Sequence, residues 1–137
     1  MHRLFILGTI SLAACVVKSE NRVFEVPYKY TDALPSKEFV LEYHNKESKS
    51  VCLAAENWPN SSGKINQASS RVWVNIAGDQ YNLRDFNTGY CSDCLTKVRP
   101  GQTVVGRIPY EEFRIPLVAS SRDKVLHFRP TGFFCRE

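Results

Sequence analysis

The sequence motif with the most specific chemistry is Cys91-Ser92-Asp93-Cys94. Two cysteines separated by two residues can form a redox-active dithiol, half of a zinc site or a small structural disulfide. A redox dithiol needs a thiolate stabilised at a helix start, whereas this motif lies between Tyr90 and Leu95 in a β-rich context. Asp93 between the two sulfurs also opposes thiolate formation. A thiol-disulfide oxidoreductase using Cys91 and Cys94 is therefore kept only as an alternative, and we expect no catalytic residues.

A zinc site would need two ligands in addition to this pair. Four further residues are available, but no second pair among them has the spacing of zinc ligands: Cys52, Cys135, His44 and His127. Each histidine lies in a strand-like segment, where it is more often a surface or hydrogen-bonded residue than a base. We therefore expect no metal and no cofactor, and a structural disulfide is the preferred interpretation of the motif.

Four cysteines, Cys52, Cys91, Cys94 and Cys135, could form two disulfides in three different pairings. Cysteines at the two ends of a β-turn lie within disulfide reach, so we expect Cys91 to pair with Cys94, which leaves Cys52 for Cys135. The alternatives pair Cys52 with Cys91 or Cys94 and the remaining cysteine with Cys135. A bridge from Cys52 to Cys135 would contribute roughly 4 to 5 kcal/mol through loop closure.

The fifth cysteine belongs to the stretch Leu12-Ala13-Ala14-Cys15, which follows an apolar run from Leu4 to Leu12. About nine apolar residues are too few for a permanent membrane span and are typical of an export signal. The stretch resembles the lipobox of bacterial lipoproteins, in which leucine and two small residues precede the cysteine that becomes the lipid-bearing first residue. The resemblance implies a signal peptide at residues 1–14, lipidation of Cys15 and a tether at residues 15–21.

The same resemblance implies a location in the cell envelope, with the protein held to the membrane through lipid on Cys15. Val16 and Val17 stand where lipoprotein families place an inner-membrane retention aspartate, which favours the outer membrane, facing the periplasm, if the host has one. Removing the signal would leave 123 residues with 17 basic and 14 acidic side chains, a formal charge of +3. Because these charges alternate in sign, we expect no nucleic-acid partner.

Several short strand-like segments separated by Pro and Gly turns predict an all-β domain at residues 22–137. Glu38 to Asn45 is a strand, and Lys49 to Ala55 is expected to be its hairpin partner. Arg71 to Ile76 and Tyr81 to Leu83 predict another hairpin around a Gly turn. We expect an antiparallel β-sandwich of immunoglobulin-like type, with a small β-barrel as the alternative.

The predicted contact surface is the long polar loop at residues 56–70 together with the segment at residues 84–94. Its candidate binding residues are Trp58, Asn60, Asp85 and Asn87. The Asp85 to Gly89 string resembles a calcium loop only superficially, because its glycine comes one position early and no bidentate Glu follows. Trp73, in an alternating strand, is expected in the core. The sequence thus predicts a non-enzymatic binding module with a protein or envelope partner, and an inhibitor of an exported hydrolase is the alternative.

Overall fold

The computed structural model describes residues 22–66, 71–84 and 95–136. These residues form ten β-strands and three short 3₁₀ helices. The strands are β1 (Phe24–Glu25), β2 (Lys29–Ala33), β3 (Glu38–His44), β4 (Val51–Ala54), β5 (Val72–Ile76), β6 (Asp79–Asn82), β7 (Leu95–Val98), β8 (Thr103–Pro109), β9 (Val125–Phe128) and β10 (Thr131–Phe134). The 3₁₀ helices are Leu34–Ser36, Tyr110–Phe113 and Leu117–Ala119.

The strands form three antiparallel sheets with the orders β1-β10-β4-β7, β2-β3-β8 and β6-β5-β9. Alternation of apolar and polar residues, clearest in β3 and β5, gives each of these strands one buried face. The predicted all-β antiparallel sandwich is confirmed. No sheet closes into a barrel within the part of the chain that the structure describes, so the barrel alternative is wrong.

One hydrophobic cluster receives side chains from all three sheets. Its largest fully buried members include Tyr43, Phe39 and Phe113. The rings of Phe39 and Phe113 meet edge to face with their centroids 5.8 Å apart. Such an arrangement suits the quadrupoles of two aromatic rings and adds to the free energy gained by burying their area.

The predicted hairpin between Glu38 to Asn45 and Lys49 to Ala55 is wrong. Strand β3 pairs with β2 and β8, whereas β4 pairs with β10 and β7 in another sheet. After β3 the chain passes into another sheet, and the buried side chain of Asn45 explains why. Its carboxamide nitrogen donates hydrogen bonds of 2.9 Å to the carbonyls of Lys49 and Val98. These bonds join the end of β3 to β7 in the opposite sheet.

The second predicted hairpin is confirmed as β5 and β6, joined by the two-residue turn Ala77-Gly78. Both residues have positive φ, 48° for Ala77 and 89° for Gly78, as a type I′ turn requires. The tight turn fixes the register, with Trp73 opposite Asn82 and Asn75 opposite Gln80.

A disulfide joins Cys52 in β4 to Cys135, immediately after β10. The Cα atoms of these two cysteines lie 5.2 Å apart, and the backbone nitrogen of Cys135 donates to the carbonyl of Ser50 at 3.0 Å. The preferred pairing for these cysteines is thus the one observed. Cys91 and Cys94 lie outside the described residues, and so do residues 1–21, where a signal peptide and a tether are predicted.

Among the helices of the described residues, none combines the length and hydrophobicity that a membrane crossing requires.

Candidate binding face on the β6-β5-β9 sheet

The two tryptophans occupy environments opposite to those predicted. Trp58 is only 3% exposed and belongs to the core, so its predicted role as an exposed contact residue is wrong. Trp73 is half-buried on the outward face of β5, so its predicted place in the core is wrong as well. Alternation along β5 buries Val72, Val74 and Ile76, which leaves Trp73 and Asn75 on the opposite face of the strand.

Trp58 is buried because Gly106 of β8 leaves room for it. A Cβ atom at Gly106 would lie 3.0 Å from the indole Nε1 of Trp58 and 2.6 Å from Cγ of Pro59. Only a residue without a side chain allows the loop to pack this closely against the strand. Within the described part of the protein, the indole Nε1 has no hydrogen-bond partner. Trp58 is thus held by apolar packing.

Two asparagines fix the loop around Trp58. Asn60 is exposed, but its carboxamide oxygen accepts hydrogen bonds from the backbone nitrogens of Ser62 at 2.9 Å and Lys64 at 3.1 Å. The carboxamide oxygen of Asn57 accepts from the backbone nitrogen and the hydroxyl of Thr131 in β10. The part of the predicted contact loop that the structure describes, residues 56–66, is therefore a structural cover over the core. Asp85 and Asn87 lie outside the described residues.

The outward side of the β6-β5-β9 sheet carries an aromatic ring pair and three carboxamides. We call it the amide-aromatic face, formed by Trp73, Asn75, Gln80, Asn82, Val125 and His127. None of these six side chains is acidic or permanently basic. The sequence pattern predicts the hairpin that carries most of them, but its alternation was interpreted with Trp73 in the core, so it did not indicate this face.

Trp73 and His127 are directly opposite each other on β5 and β9. Their rings are nearly parallel, with an interplanar angle of 10° and 5.0 Å between centroids. The carboxamide nitrogen of Asn75 lies 3.0 Å from Nε2 of His127. Because a carboxamide nitrogen can only donate, Nε2 accepts this bond and Nδ1 carries the ring proton in this arrangement. The expectation of a surface or hydrogen-bonded histidine is confirmed for His127.

Two arginines lie at one end of the face. Continuing the β5-β9 register by one residue places Arg71 opposite Arg129, and a depression of about 440 Å³ lies beside them. The depression is lined by Arg71, Trp73, Leu126, His127, Phe128 and Arg129. A guanidinium nitrogen of Arg129 lies 2.8 Å from a carboxylate oxygen of Glu25, and this contact lowers the pKa of Glu25 below its usual value. Arg71 is exposed and makes no ion pair with the described residues.

Two tyrosines hold the outer edge of β9 in place. The hydroxyl of Tyr28 donates to the carbonyl of Phe128 at 2.8 Å, and the hydroxyl of Tyr30 accepts from the backbone nitrogen of Leu126 at 3.3 Å. Burial is the main cause that raises the pKa of Tyr28 to about 12, so the donor stays protonated at neutral pH. The two bonds use backbone groups that an edge strand would otherwise expose.

A buried ion pair fixes the start of β9. The side chain of Lys124 is 1% exposed, and its ammonium lies 3.2 Å from a carboxylate oxygen of Asp32 and 4.6 Å from the ring centre of Tyr110. The hydroxyl of Tyr110 donates to the same carboxylate, and burial together with this bond raises the pKa of Tyr110. All three polar groups are satisfied by one another, so this cluster is structural.

No group of three or more potential metal ligands occurs in the residues that the structure describes. No protein-family model matches the chain, and a search of curated proteins finds no relative.

Proposed function

We propose that the protein is an exported, lipid-anchored, non-enzymatic binding module whose partner lies against the amide-aromatic face. The observation that supports this most directly is Trp73, a large aromatic residue left half-buried on a regular sheet and stacked on His127. Tryptophan is among the residues that contribute most to binding free energy when a partner covers them.

The geometry of the face reduces the conformational entropy that its side chains lose when a partner binds. Trp73 and His127 restrict each other through stacking, and Asn75 holds the histidine ring through a hydrogen bond. The two-residue turn between β5 and β6 fixes the position of the adjacent carboxamides. Side chains that are already ordered lose little conformational entropy when a partner binds.

The proposed location follows from the N-terminal sequence. Lipid on Cys15 would hold the protein to the membrane, and the first strand begins only nine residues later, at Phe24. The domain would therefore lie close to the membrane surface, in the cell envelope, and on the periplasmic side of an outer membrane if the host has one. The partner would be a component of the envelope or a protein in the same compartment.

The anchor can be tested with globomycin, which blocks processing of lipoprotein signal peptides. We expect treated cells to accumulate a larger precursor and untreated cells to retain the mature protein in the membrane fraction. Processing that is insensitive to globomycin, with the mature protein free of the membrane, would show that the anchor proposal is wrong.

The binding face can be tested by placing the photo-crosslinking residue p-benzoylphenylalanine at Gln80 in the full-length protein in intact cells. Val105, half-exposed and facing outward on β8 of another sheet, is the matched control position. We expect a crosslinked product from position 80 that disappears when Trp73 is also replaced by Ala. Equal crosslinking from both positions, or none from position 80, would contradict the proposal.

A second candidate function is inhibition of an exported hydrolase. It is favoured by the tip of the 3₁₀ helix Leu117–Ala119, where Leu117 is 76% exposed and Val118 is 83% exposed. An adjacent apolar pair this exposed is suited to an apolar subsite of an enzyme. If inhibition is the function, Val118→Asp should abolish it, whereas Trp73→Ala should not.

A further inference from the structure

We infer that the ligand of the amide-aromatic face is an anionic saccharide. This inference rests on the proposed binding function of the same face and adds the chemical class of the partner. Three features of the face support it: an aromatic ring pair, carboxamide atoms that have no hydrogen-bond partner among the described residues, and a pair of arginines at one end.

The aromatic surface suits a sugar ring. A pyranose presents C–H bonds on its faces and hydroxyl groups around its edge, so it packs its faces on an aromatic ring and directs its hydroxyls toward polar neighbours. Trp73 has His127 on one side, at 5.0 Å, and the exposed Asn82 opposite it on the other strand. Trp73 is half-buried and lines the depression beside the two arginines, which is where a sugar ring could contact it.

The carboxamides can recognise hydroxyl groups. Gln80 donates to the side-chain oxygen of Asn82 at 2.8 Å, and Asn75 donates to His127. After these bonds, the side-chain oxygens of Asn75 and Gln80 and the side-chain nitrogen of Asn82 have no partner among the described residues. The face thus offers both acceptors and a donor, the combination that neighbouring hydroxyls of a sugar require.

The two arginines indicate that the ligand is negatively charged. Like charges opposite each other on neighbouring strands destabilise a sheet, and Glu25 neutralises only Arg129. Arg71 lies at the same end of the face with no ion pair to the described residues. A carboxylate or sulfate group on the saccharide would relieve this repulsion and accept two parallel hydrogen bonds from a guanidinium.

The direct test uses the full-length protein purified in neutral detergent and titrated by calorimetry. The probes are six-residue oligosaccharides of galacturonate, of mannuronate and from heparin, with maltohexaose as the neutral counterpart. We expect saturable binding of at least one acidic probe, weakened by salt, and at least ~10-fold weaker binding of maltohexaose. Failure of all three acidic probes, or equal binding of maltohexaose, would overturn the inference.

Three variants test whether the acidic probe binds at the amide-aromatic face. Arg71→Gln should weaken binding of the acidic probe about 5- to 10-fold, the range expected for one charge-assisted contact. Arg99→Gln removes the same charge from the exposed turn before β8 and should have no effect. Glu25→Gln should tighten binding about twofold, because it releases Arg129 from its exposed and therefore weak ion pair. Equal losses from Arg71→Gln and Arg99→Gln would mean nonspecific attraction and would overturn the inference.

Two further outcomes separate this inference from the proposed function. If mass spectrometry identifies the partner in the crosslinked product at position 80 as a protein, and polysaccharide-degrading enzymes leave that product unchanged, the binding function stands and the saccharide class is wrong. Tighter, Trp73-dependent binding to phosphatidylglycerol vesicles than to any acidic probe would assign the face to the lipid surface instead. Absence of any crosslinked product at position 80, by contrast, would refute the proposed function itself.

Discussion

The surroundings of the two tryptophans are the reverse of what their local sequences indicate. Trp58 lies in an irregular polar segment and is 3% exposed, whereas Trp73 lies in a regular alternating strand and is half-buried. Alternation shows that a strand has two different faces, but the covered face is decided by the other sheets. Burial of a loop residue is decided in the same way, by the space that a distant strand leaves for it.

The two tryptophans also contribute differently to the protein, Trp58 to its core and Trp73 to an outer face. Trp58 fills space next to Gly106 and makes no hydrogen bond through its indole nitrogen with the described residues. Trp73 is paired with His127 on a face that the described residues leave accessible. We therefore expect substitution of Trp58 to affect folding and substitution of Trp73 to affect binding.

The largest expected effect is that of Trp58→Ala. Truncation of a buried tryptophan leaves a cavity and should lower the free energy of unfolding by about 3 to 5 kcal/mol. Urea denaturation followed by circular dichroism would measure it. A loss below about 1 kcal/mol would mean that the loop collapses into the space at little cost and that Trp58 is not essential to the core.

Gly106→Ala should produce the next largest effect. The new methyl group would collide with Pro59 and the indole of Trp58, and overpacking of this kind costs about 1 to 3 kcal/mol. In a double-mutant cycle, Trp58→Ala should remove the part of that cost that comes from the indole, whereas the closer contact with Cγ of Pro59 would remain. Strictly additive losses would argue against direct contact between the two positions.

Trp73→Ala should cost less, about 0.5 to 1.5 kcal/mol, the range expected for loss of a cross-strand aromatic pair. Its effect on crosslinking from position 80 should be much larger, with loss of the product. The same denaturation experiment serves as its control. A loss of stability as large as that of Trp58→Ala would place Trp73 in the core and would remove the basis for the binding face.

Ala77→Asn should have the smallest effect and the opposite sign. Ala77 has a φ of 48°, a conformation that asparagine tolerates better than alanine, so the variant should gain about 0.5 to 1 kcal/mol. Because the turn only fixes the register of the hairpin, crosslinking from position 80 should persist. A destabilised variant would indicate that the turn has a different geometry.

The sequence was sufficient to predict those elements that are determined by residues adjacent to one another in the chain. The alternation from Arg71 to Ile76, followed by Ala77-Gly78, predicted the β5-β6 hairpin because turn chemistry and strand period both act over a few residues. The pairing of Cys52 with Cys135 was one of three possibilities, and the adjacency of β4 and β10 selects it.

The sequence was insufficient where long-range packing decides. The short connection after Asn45 favoured a hairpin, but a hydrogen bond from its buried carboxamide to the carbonyl of Val98 joins this segment to another sheet. The burial of Trp58 depends on Gly106, 48 positions away in the sequence. The binding face, for its part, depends on the register between β5 and β9, which are about fifty residues apart.

The pairing of β1 with β10 has a mechanical consequence. Only two residues of β1, Phe24 and Glu25, pair with β10, whereas β10 is also tied to β4 by the Cys52–Cys135 bridge. A force applied through the N-terminus would therefore peel β1 away before it reaches the covalently closed sheet. The released residues 22–25 span at most about 14 Å when fully extended, and Val26, 1% exposed, would remain in the core. Under tension, the first strand would act as an extensible spring between the proposed membrane anchor and a body that keeps its core.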